Sequence, residues 1–277
     1  MKRRLIQLCA ALLYNLNLKG FAEASIYKGK SKGLCVPGLN CYSCPGAVGS
    51  CPLGTLQNAL SAMDRKLPFY ILGVLLLFGV TMGRTICGFL CPFGLVQELL
   101  YRIPVPKIKK NRVTQELSKV KYVILAVFVI ILPVVFKAAS GLPVPAFCKY
   151  ICPAGTLEGG IPLVLLDDSL SGLAGALFHW KVLVLAVILV SACFLYRSFC
   201  RILCPLGAIY SLFTPVALLG VRIDRDTCVD CGRCVRTCKM DVRQVGDREC
   251  IQCGECMKEC NVDAIYWKKP WDVKSKK

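Results

Sequence analysis

Four long apolar runs alternate with polar, basic or cysteine-rich connections along this chain. The runs lie near residues 5–26, 68–86, 121–138 and 177–196. Runs of this length suit helices that cross a hydrocarbon core about 30 Å thick. The pattern therefore predicts a mainly α membrane protein with four transmembrane helices. The first run lacks the small residue that a processing site before Cys9 would need, so we interpret it as an uncleaved span.

Basic residues flank these runs and predict their orientation. Lys2, Arg3 and Arg4 precede the first run, and the connection 102–121 is rich in lysine and arginine. Because positively charged connections stay on the cytoplasmic side, both ends of the chain should be cytoplasmic in a multi-pass protein of the cell (inner) membrane. The connection 27–67 is also basic, although this topology puts it outside.

Two halves of the chain, about 1–110 and 121–220, repeat their cysteine motifs. The stretch RTICGFLCPFG at 84–94 reappears as RSFCRILCPLG at 197–207. Two hairpins that run in the same direction form a parallel repeat, whose pseudo-twofold axis lies along the membrane normal. That axis predicts an inner membrane-face cluster with four ligands: Cys87, Cys91, Cys200 and Cys204.

Each of these motifs places a proline directly after its second cysteine. Pro92 and Pro205 can each occupy the first position of a new helix. The free backbone N–H groups of such a helix start would then stabilise the negative charge on the thiolate sulfurs.

The opposite face offers a second, less defined set of cysteines. CPLGTLQ at 51–57 matches CPAGTLE at 152–158 across the repeat. We expect an outer membrane-face cluster on Cys44, Cys51, Cys148 and Cys152. Cys35 and Cys41 remain as possible redox thiols, joined in a disulfide. Alternatively, Cys41 and Cys44 of CYSC form a dithiol that exchanges with a partner.

The C-terminal region carries the most specific motif. CVDCGRCVRTC and CIQCGECMKEC both have the spacing C-x2-C-x2-C-x3-C, in which each fourth cysteine binds the other cluster. This predicts a cytoplasmic α+β ferredoxin domain over residues 221–268, after a transmembrane domain over 1–220 and before a basic tail over 269–277. Its first cluster would be held by Cys228, Cys231, Cys234 and Cys260. Its second cluster would be held by Cys238, Cys250, Cys253 and Cys256.

The amino-acid composition limits which cofactors the chain can bind. The chain has twenty cysteines and one histidine, His179, which rules out bis-histidine haem within it. The formal net charge of +18 is typical of nucleic-acid binders, but each all-cysteine [4Fe–4S] cluster adds about two negative charges. We therefore predict four [4Fe–4S] clusters, no haem and no nucleic-acid partner.

Between residues 30 and 265 the chain resembles the NapH/NosR/CcoG-type membrane polyferredoxins. The resemblance lies in the paired C-x3-C-P motifs after apolar hairpins and in the eight ferredoxin cysteines. It implies electron transfer between the quinone pool or cytoplasmic donors and extracytoplasmic reductases. The chain differs from the NosR branch because it has no large flavin domain and no S-G-A-T-type motif for covalent flavin.

Three functions follow from these observations. The leading hypothesis is an electron-transfer component that connects a cytoplasmic ferredoxin-like donor with an extracytoplasmic thioredoxin-like protein or reductase. The second is a quinol dehydrogenase in which Gln97 or Glu98 handles protons, although a solvated surface carboxylate is the simpler interpretation of Glu98. The third is a maturation or binding factor that presents thiols or clusters to an exported partner.

Overall fold

The chain is mainly helical, with one small sheet near its C-terminus. The computed structural model describes residues 2–61, 69–108, 110–167, 169, 172 and 174–268, and the structural statements below concern these residues. The predicted basic tail lies outside them.

Helices of the first half begin and end close to the cysteine motifs. They are α1 (Lys2–Tyr14), α2 (Lys19–Ala22), a 3-10 turn (Lys30–Gly33), α3 (Pro52–Ser61), α4 (Phe69–Met82), α5 (Thr85–Phe89) and α6 (Pro92–Leu100). Pro52 and Pro92 begin α3 and α6 directly after Cys51 and Cys91. A proline is favoured at the first helical position because its missing N–H would have no partner there.

The second half repeats this arrangement with longer helices. It contains α7 (Arg112–Leu117), α8 (Val120–Ile124), a π-helical segment (Leu125–Ile131), α9 (Leu132–Ser140), α10 (Ala146–Tyr150), a second π-helical segment (Gly155–Gly160), α11 (Ile161–Leu166), α12 (Ala176–Phe194), α13 (Ser198–Ile202) and α14 (Pro205–Phe213). Pro205 begins α14 directly after Cys204, as Pro92 begins α6.

A small α+β unit follows the helices. It consists of β1 (Gly220–Ile223), α15 (Arg233–Thr237), a 3-10 helix (Glu255–Glu259) and β2 (Ile265–Lys268). The two strands are antiparallel, with Val221 opposite Trp267. The sheet thus joins the two ends of the cysteine-rich segment.

Two helices within the described residues are long and apolar enough to cross a membrane. They run over Arg112–Ser140 and Ala176–Phe194, where the third and fourth spans were predicted. The predicted first span is interrupted, because α1 ends at Tyr14 and the side chain of Asn17 binds the carbonyl oxygen of Pro45 at 2.9 Å. With 13 residues, α1 rises only about 20 Å. The structure therefore does not confirm the four-span topology.

The main core lies between the two halves and contains the buried cysteines. Phe93 of the first half packs edge-to-face on Phe199 of the second, with 5.2 Å between ring centroids. Ile86, Leu206 and Tyr210 complete its centre. The segments that carry the paired cysteine motifs are consequently held by contacts that cross from one half to the other.

Candidate functional site

The inner set of cysteines lies in this core. Cys87, Cys91, Cys200 and Cys204 are each 4–7% exposed. The other three thiols lie close enough to Cys204 to raise its pKa, in addition to the effect of its burial. The N–H of Gly207, in the first turn of α14, points to the Cys204 sulfur at 3.4 Å. Burial raises the pKa of Cys91 to about 12, with further contributions from Cys200 and Cys87. The structure thus brings together the four residues that the repeat predicts as ligands.

Two buried arginines connect the halves reciprocally at this set. Arg84 of the first half donates to the carbonyl oxygen of Cys200 at 3.3 Å. Arg197 of the second half donates to the carbonyl oxygen of Cys87. Both arginines are fully buried. Each half therefore binds the backbone of the other half's ligand, as a pseudo-twofold arrangement requires.

Glu98 neutralises Arg197 at a distance of 2.6 Å and also binds Arg3 at 2.7 Å. Only 3% of Glu98 is exposed, so its interpretation as a solvated carboxylate is wrong. Burial alone would raise the pKa of Glu98, but Arg197 and Arg3 hold it below its usual value. Residues far away in sequence provide these partners, which explains why the amphipathic pattern of α6 did not reveal them.

The position of the second half that matches Glu98 is Ser211, which has no carboxylate. The carboxylate that pairs with Arg84 comes instead from the C-terminal unit. Glu249 lies 2.9 Å from Arg84 and 2.5 Å from Lys121. Arg84 also donates to the carbonyl oxygen of Arg248 at 3.1 Å. The C-terminal unit is therefore bound beside the inner cysteine set by a partly buried carboxylate that pairs with two fully buried cations.

The outer set lines a cavity of about 350 Å³. Its cysteines are Cys41, Cys51, Cys148 and Cys152. We expected Cys44 in the place of Cys41. The Cys44 thiol instead contacts the side-chain oxygen of Asn15, the residue directly after α1, at 3.6 Å.

Glu158 explains why Cys41 is on the cavity wall, since its carboxylate accepts a hydrogen bond from the Cys41 N–H at 2.8 Å. The pKa of Glu158 is raised to about 7, because the effect of burial is larger than the opposing effect of the hydrogen bond from the Cys41 N–H. Cys35 and Cys41 are both free thiols, so the expected disulfide is not present. Cys35 lies instead beside the hydroxyl groups of Ser50 and Thr55, at 3.5 Å from each.

Two buried glutamines bind ligand sulfurs and were not singled out from the sequence as sulfur partners. Gln97 donates to the Cys200 sulfur at 3.1 Å, and Gln57 donates to the Cys148 sulfur at 3.3 Å. Each glutamine is the sixth residue after the cysteine of a C-P-x-G turn. Glu158 occupies the same place after Cys152. This common offset is the sequence signal that could have identified them.

The eight C-terminal cysteines line two separate cavities. The first, of about 430 Å³, is lined by Cys228, Cys231, Cys234 and Cys260. The second, of about 30 Å³, is lined by Cys238, Cys250, Cys253 and Cys256. These are the two groups predicted from the motif, in which the fourth cysteine of each run binds the cluster of the other run. Gly232 and Gly254 follow equivalent cysteines at φ +67° and +75°, a left-handed conformation that glycine adopts readily.

Each of the four groups contains four thiols, the number of protein ligands that a [4Fe–4S] cluster takes. Within the described ranges, no three histidine, cysteine or acidic side chains converge on a position for one metal ion. A [4Fe–4S] cluster binds one thiolate at each of its four iron atoms. Burial raises the pKa of Cys41, Cys148 and Cys238 to about 12, so without a bound metal these thiols stay protonated at neutral pH.

Comparison with known proteins identifies the family. The family described as the 4Fe-4S binding domain matches residues 50–70, 67–111, 122–161 and 176–222. Each of these segments contains one C-P-x-G turn. The chain belongs to this family.

Named relatives agree with an iron–sulfur function. An uncharacterized protein of Methanocaldococcus jannaschii is 29% identical over 173 residues, which are 61% of this chain and 64% of the relative. YccM of Escherichia coli, whose name assigns it to electron transport, is 23% identical over 70% of this chain and 54% of its own. The methylamine utilization ferredoxin-type protein MauN of Paracoccus denitrificans is 26% identical over 70% of this chain and 62% of its own. The chain thus spans less than two thirds of each of these relatives, and no solved structure matches it.

The expectation of an iron–sulfur protein of ferredoxin type is confirmed. Its assignment to the NapH/NosR branch stays a prediction.

Proposed function

We propose that this protein is a multi-pass membrane component that carries electrons between a cytoplasmic ferredoxin-like donor and an acceptor on the opposite face. The observation that carries this proposal is the grouping of sixteen cysteines into four sets of four. Three sets line cavities, and the fourth is a buried set whose thiols interact electrostatically with one another. Bound [4Fe–4S] clusters would supply one-electron chemistry at each set.

The contact between the C-terminal unit and the inner cysteines supports a continuous route. Arg84 binds both the carbonyl oxygen of Cys200 and the carboxylate of Glu249, the residue before Cys250. Gly88 lies against Ile251, since a Cβ on this glycine would be 2.4 Å from the Ile251 oxygen. The ligands of two sets are thereby linked through hydrogen bonds and close backbone packing.

Exposure supports the position of the donor. Cys231 is exposed, and the cavity that it lines is the largest of the three. Cys250, by contrast, lies next to the buried Arg84 contact. We therefore place the donor at the Cys228–Cys260 set and expect the Cys238–Cys256 set to adjoin the inner cluster.

Apolar side chains on the outside of the helices support a membrane location. Val134 and Val135 on α9, and Val187 and Val190 on α12, are each at least 45% exposed. In the continuous helix Arg112–Ser140, which ends with α9, and in α12, only 17% of the most apolar 18-residue stretch is buried. A core helix of a soluble protein would be mostly buried, so lipid is the medium that suits these surfaces.

Anaerobic purification with iron, acid-labile sulfide and redox-resolved EPR analysis tests this proposal. We expect about sixteen iron atoms per chain, since each of four clusters holds four. In sealed vesicles, a reduced external ferredoxin should reduce an enclosed acceptor only through the inserted protein. An iron content near eight after reconstitution would leave only the ferredoxin unit and overturn the proposal.

A further inference from the structure

Gln97 and Gln57 make the same three contacts at the two membrane-domain cysteine sets. Besides its sulfur contact, Gln97 accepts from the Phe199 N–H at 3.0 Å and donates to the Phe93 carbonyl at 3.3 Å. Gln57 accepts from the Phe147 N–H at 2.9 Å and donates to the Leu53 carbonyl at 3.2 Å. In each case the glutamine belongs to the first half and the sulfur to the second.

The backbone determines which end of each amide faces the sulfur. The N–H groups of Phe199 and Phe147 are donors, so each must meet the side-chain oxygen of its glutamine. The side-chain NH2 groups are therefore directed towards the Cys200 and Cys148 sulfurs. This assignment follows from the hydrogen-bond network, which is how amide orientation is established.

We propose that Gln97 and Gln57 are positioning residues that raise the reduction potentials of the inner and outer clusters by hydrogen bonding to one ligand sulfur each. The proposal rests on the proposed function, since it requires clusters at both sets. Reduction adds negative charge to a cluster and its sulfurs, and a donated N–H stabilises that charge. Both glutamines are fully buried, where such a hydrogen bond is stronger than in water.

The equivalent positions of the second half do not repeat this contact. Glu158 accepts a hydrogen bond from the Cys41 N–H, and Tyr210 donates to the Pro37 carbonyl at 2.9 Å. The hydrogen bond from a glutamine side chain to a cysteine sulfur is thus made by residues of the first half. It also ties the ligand segments of the second half to helices of the first.

Gln97→Leu, Gln57→Leu and a matched control, Gln7→Leu, test the proposal. Gln7 is also fully buried, but its amide has no hydrogen-bond partner in the described part of the chain. EPR-monitored redox titration of the full chain, with iron content measured in parallel, gives the midpoint potential of each centre. We expect about a tenfold loss in the reduction equilibrium constant, which corresponds to about 59 mV for a one-electron centre.

Gln97→Leu should lower the potential of the inner centre alone, and Gln57→Leu that of the outer centre alone, whereas Gln7→Leu should change neither. If a leucine variant does not retain its cluster, the methionine variant is titrated instead, because it keeps the length of the glutamine side chain, removes the N–H donor and adds no charge. Unchanged potentials in variants that retain all clusters would overturn this inference. Absence of the inner and outer centres from the unmutated protein would instead overturn the proposed function.

Discussion

Arg84, which is fully buried, and Glu249, whose side chain is 14% exposed, form an ion pair that joins the helical domain to the C-terminal unit, with 2.9 Å between guanidinium and carboxylate. Glu249 takes the place that Glu98 holds beside Arg197, because the repeat-equivalent position in the second half is Ser211. Glu249 thereby supplies the C-terminal unit's counterpart to the Glu98–Arg197 pair. Cys250, the next residue, lines one of the two cavities of this unit. Docking and cluster placement depend on the same two residues.

Glu249→Gln should loosen this docking. Removing one partner of a buried ion pair typically costs about 3 kcal/mol, which is roughly a hundredfold increase in the undocked population. Trp267 packs edge-to-face on Phe89 at 5.6 Å, so its fluorescence should report the change, together with faster proteolysis between the domains.

Glu116→Gln is the matched control, since Glu116 forms an exposed pair with Lys119. Exposed pairs contribute at most about 1 kcal/mol. Equal effects of the two substitutions would contradict the role of Glu249.

Cys87→Ala and Cys200→Ala should each remove the same EPR-visible centre, because both halves contribute ligands to one inner cluster. The ferredoxin signals should remain in both variants. Loss of two different centres would mean that the shared pseudo-twofold site does not exist.

Cys41→Ser and Cys44→Ser separate the two possible ligands of the outer cluster. Cys41 lines the cavity with Cys51, Cys148 and Cys152, whereas Cys44 lies against Asn15. We expect Cys41→Ser to abolish the outer signal and to lower the iron content by one cluster, and Cys44→Ser to leave both unchanged. The opposite result would restore Cys44 as the ligand.

Glu158→Gln should raise the midpoint potential of the outer centre without changing the inner one. The variant keeps an acceptor for the Cys41 N–H but removes a negative charge that disfavours the reduced cluster. Because burial raises the pKa of Glu158 to about 7, the titration belongs at pH 8, where the carboxylate is mostly ionised. A shift of equal size in the inner centre would show that the effect is not local.

An impermeant maleimide should label Cys35 from the extracytoplasmic side in reduced, intact vesicles. The predicted topology places the connection 27–67 there. Cys35→Ser serves as the control that assigns the label to this residue. Labelling from the cytoplasmic side alone would contradict both the topology and the outer position of the second membrane-domain cluster.

The sequence alone determined the parts of this protein whose spacing is local or repeated. The C-x2-C-x2-C-x3-C runs predict eight ligands, because three of each four lie within a few residues along the chain. The repeat predicts Cys87, Cys91, Cys200 and Cys204 as four more, because the same C-x3-C-P turn occurs twice and its prolines begin helices in both halves.

Only the tertiary structure decided which residues meet across the halves. The first half has Ala47 four residues before Cys51, where the second half has Cys148 before Cys152, so spacing could not choose between Cys41 and Cys44. The contact with Glu158, 117 positions away, favours Cys41. Glu98 is likewise buried beside Arg197, which lies 99 positions away and donates a hydrogen bond to its carboxylate. Whether a polar group is buried depends on a distant charge or hydrogen-bond donor that offsets the cost of its burial. The periodicity of the sequence does not reveal which residue that partner is.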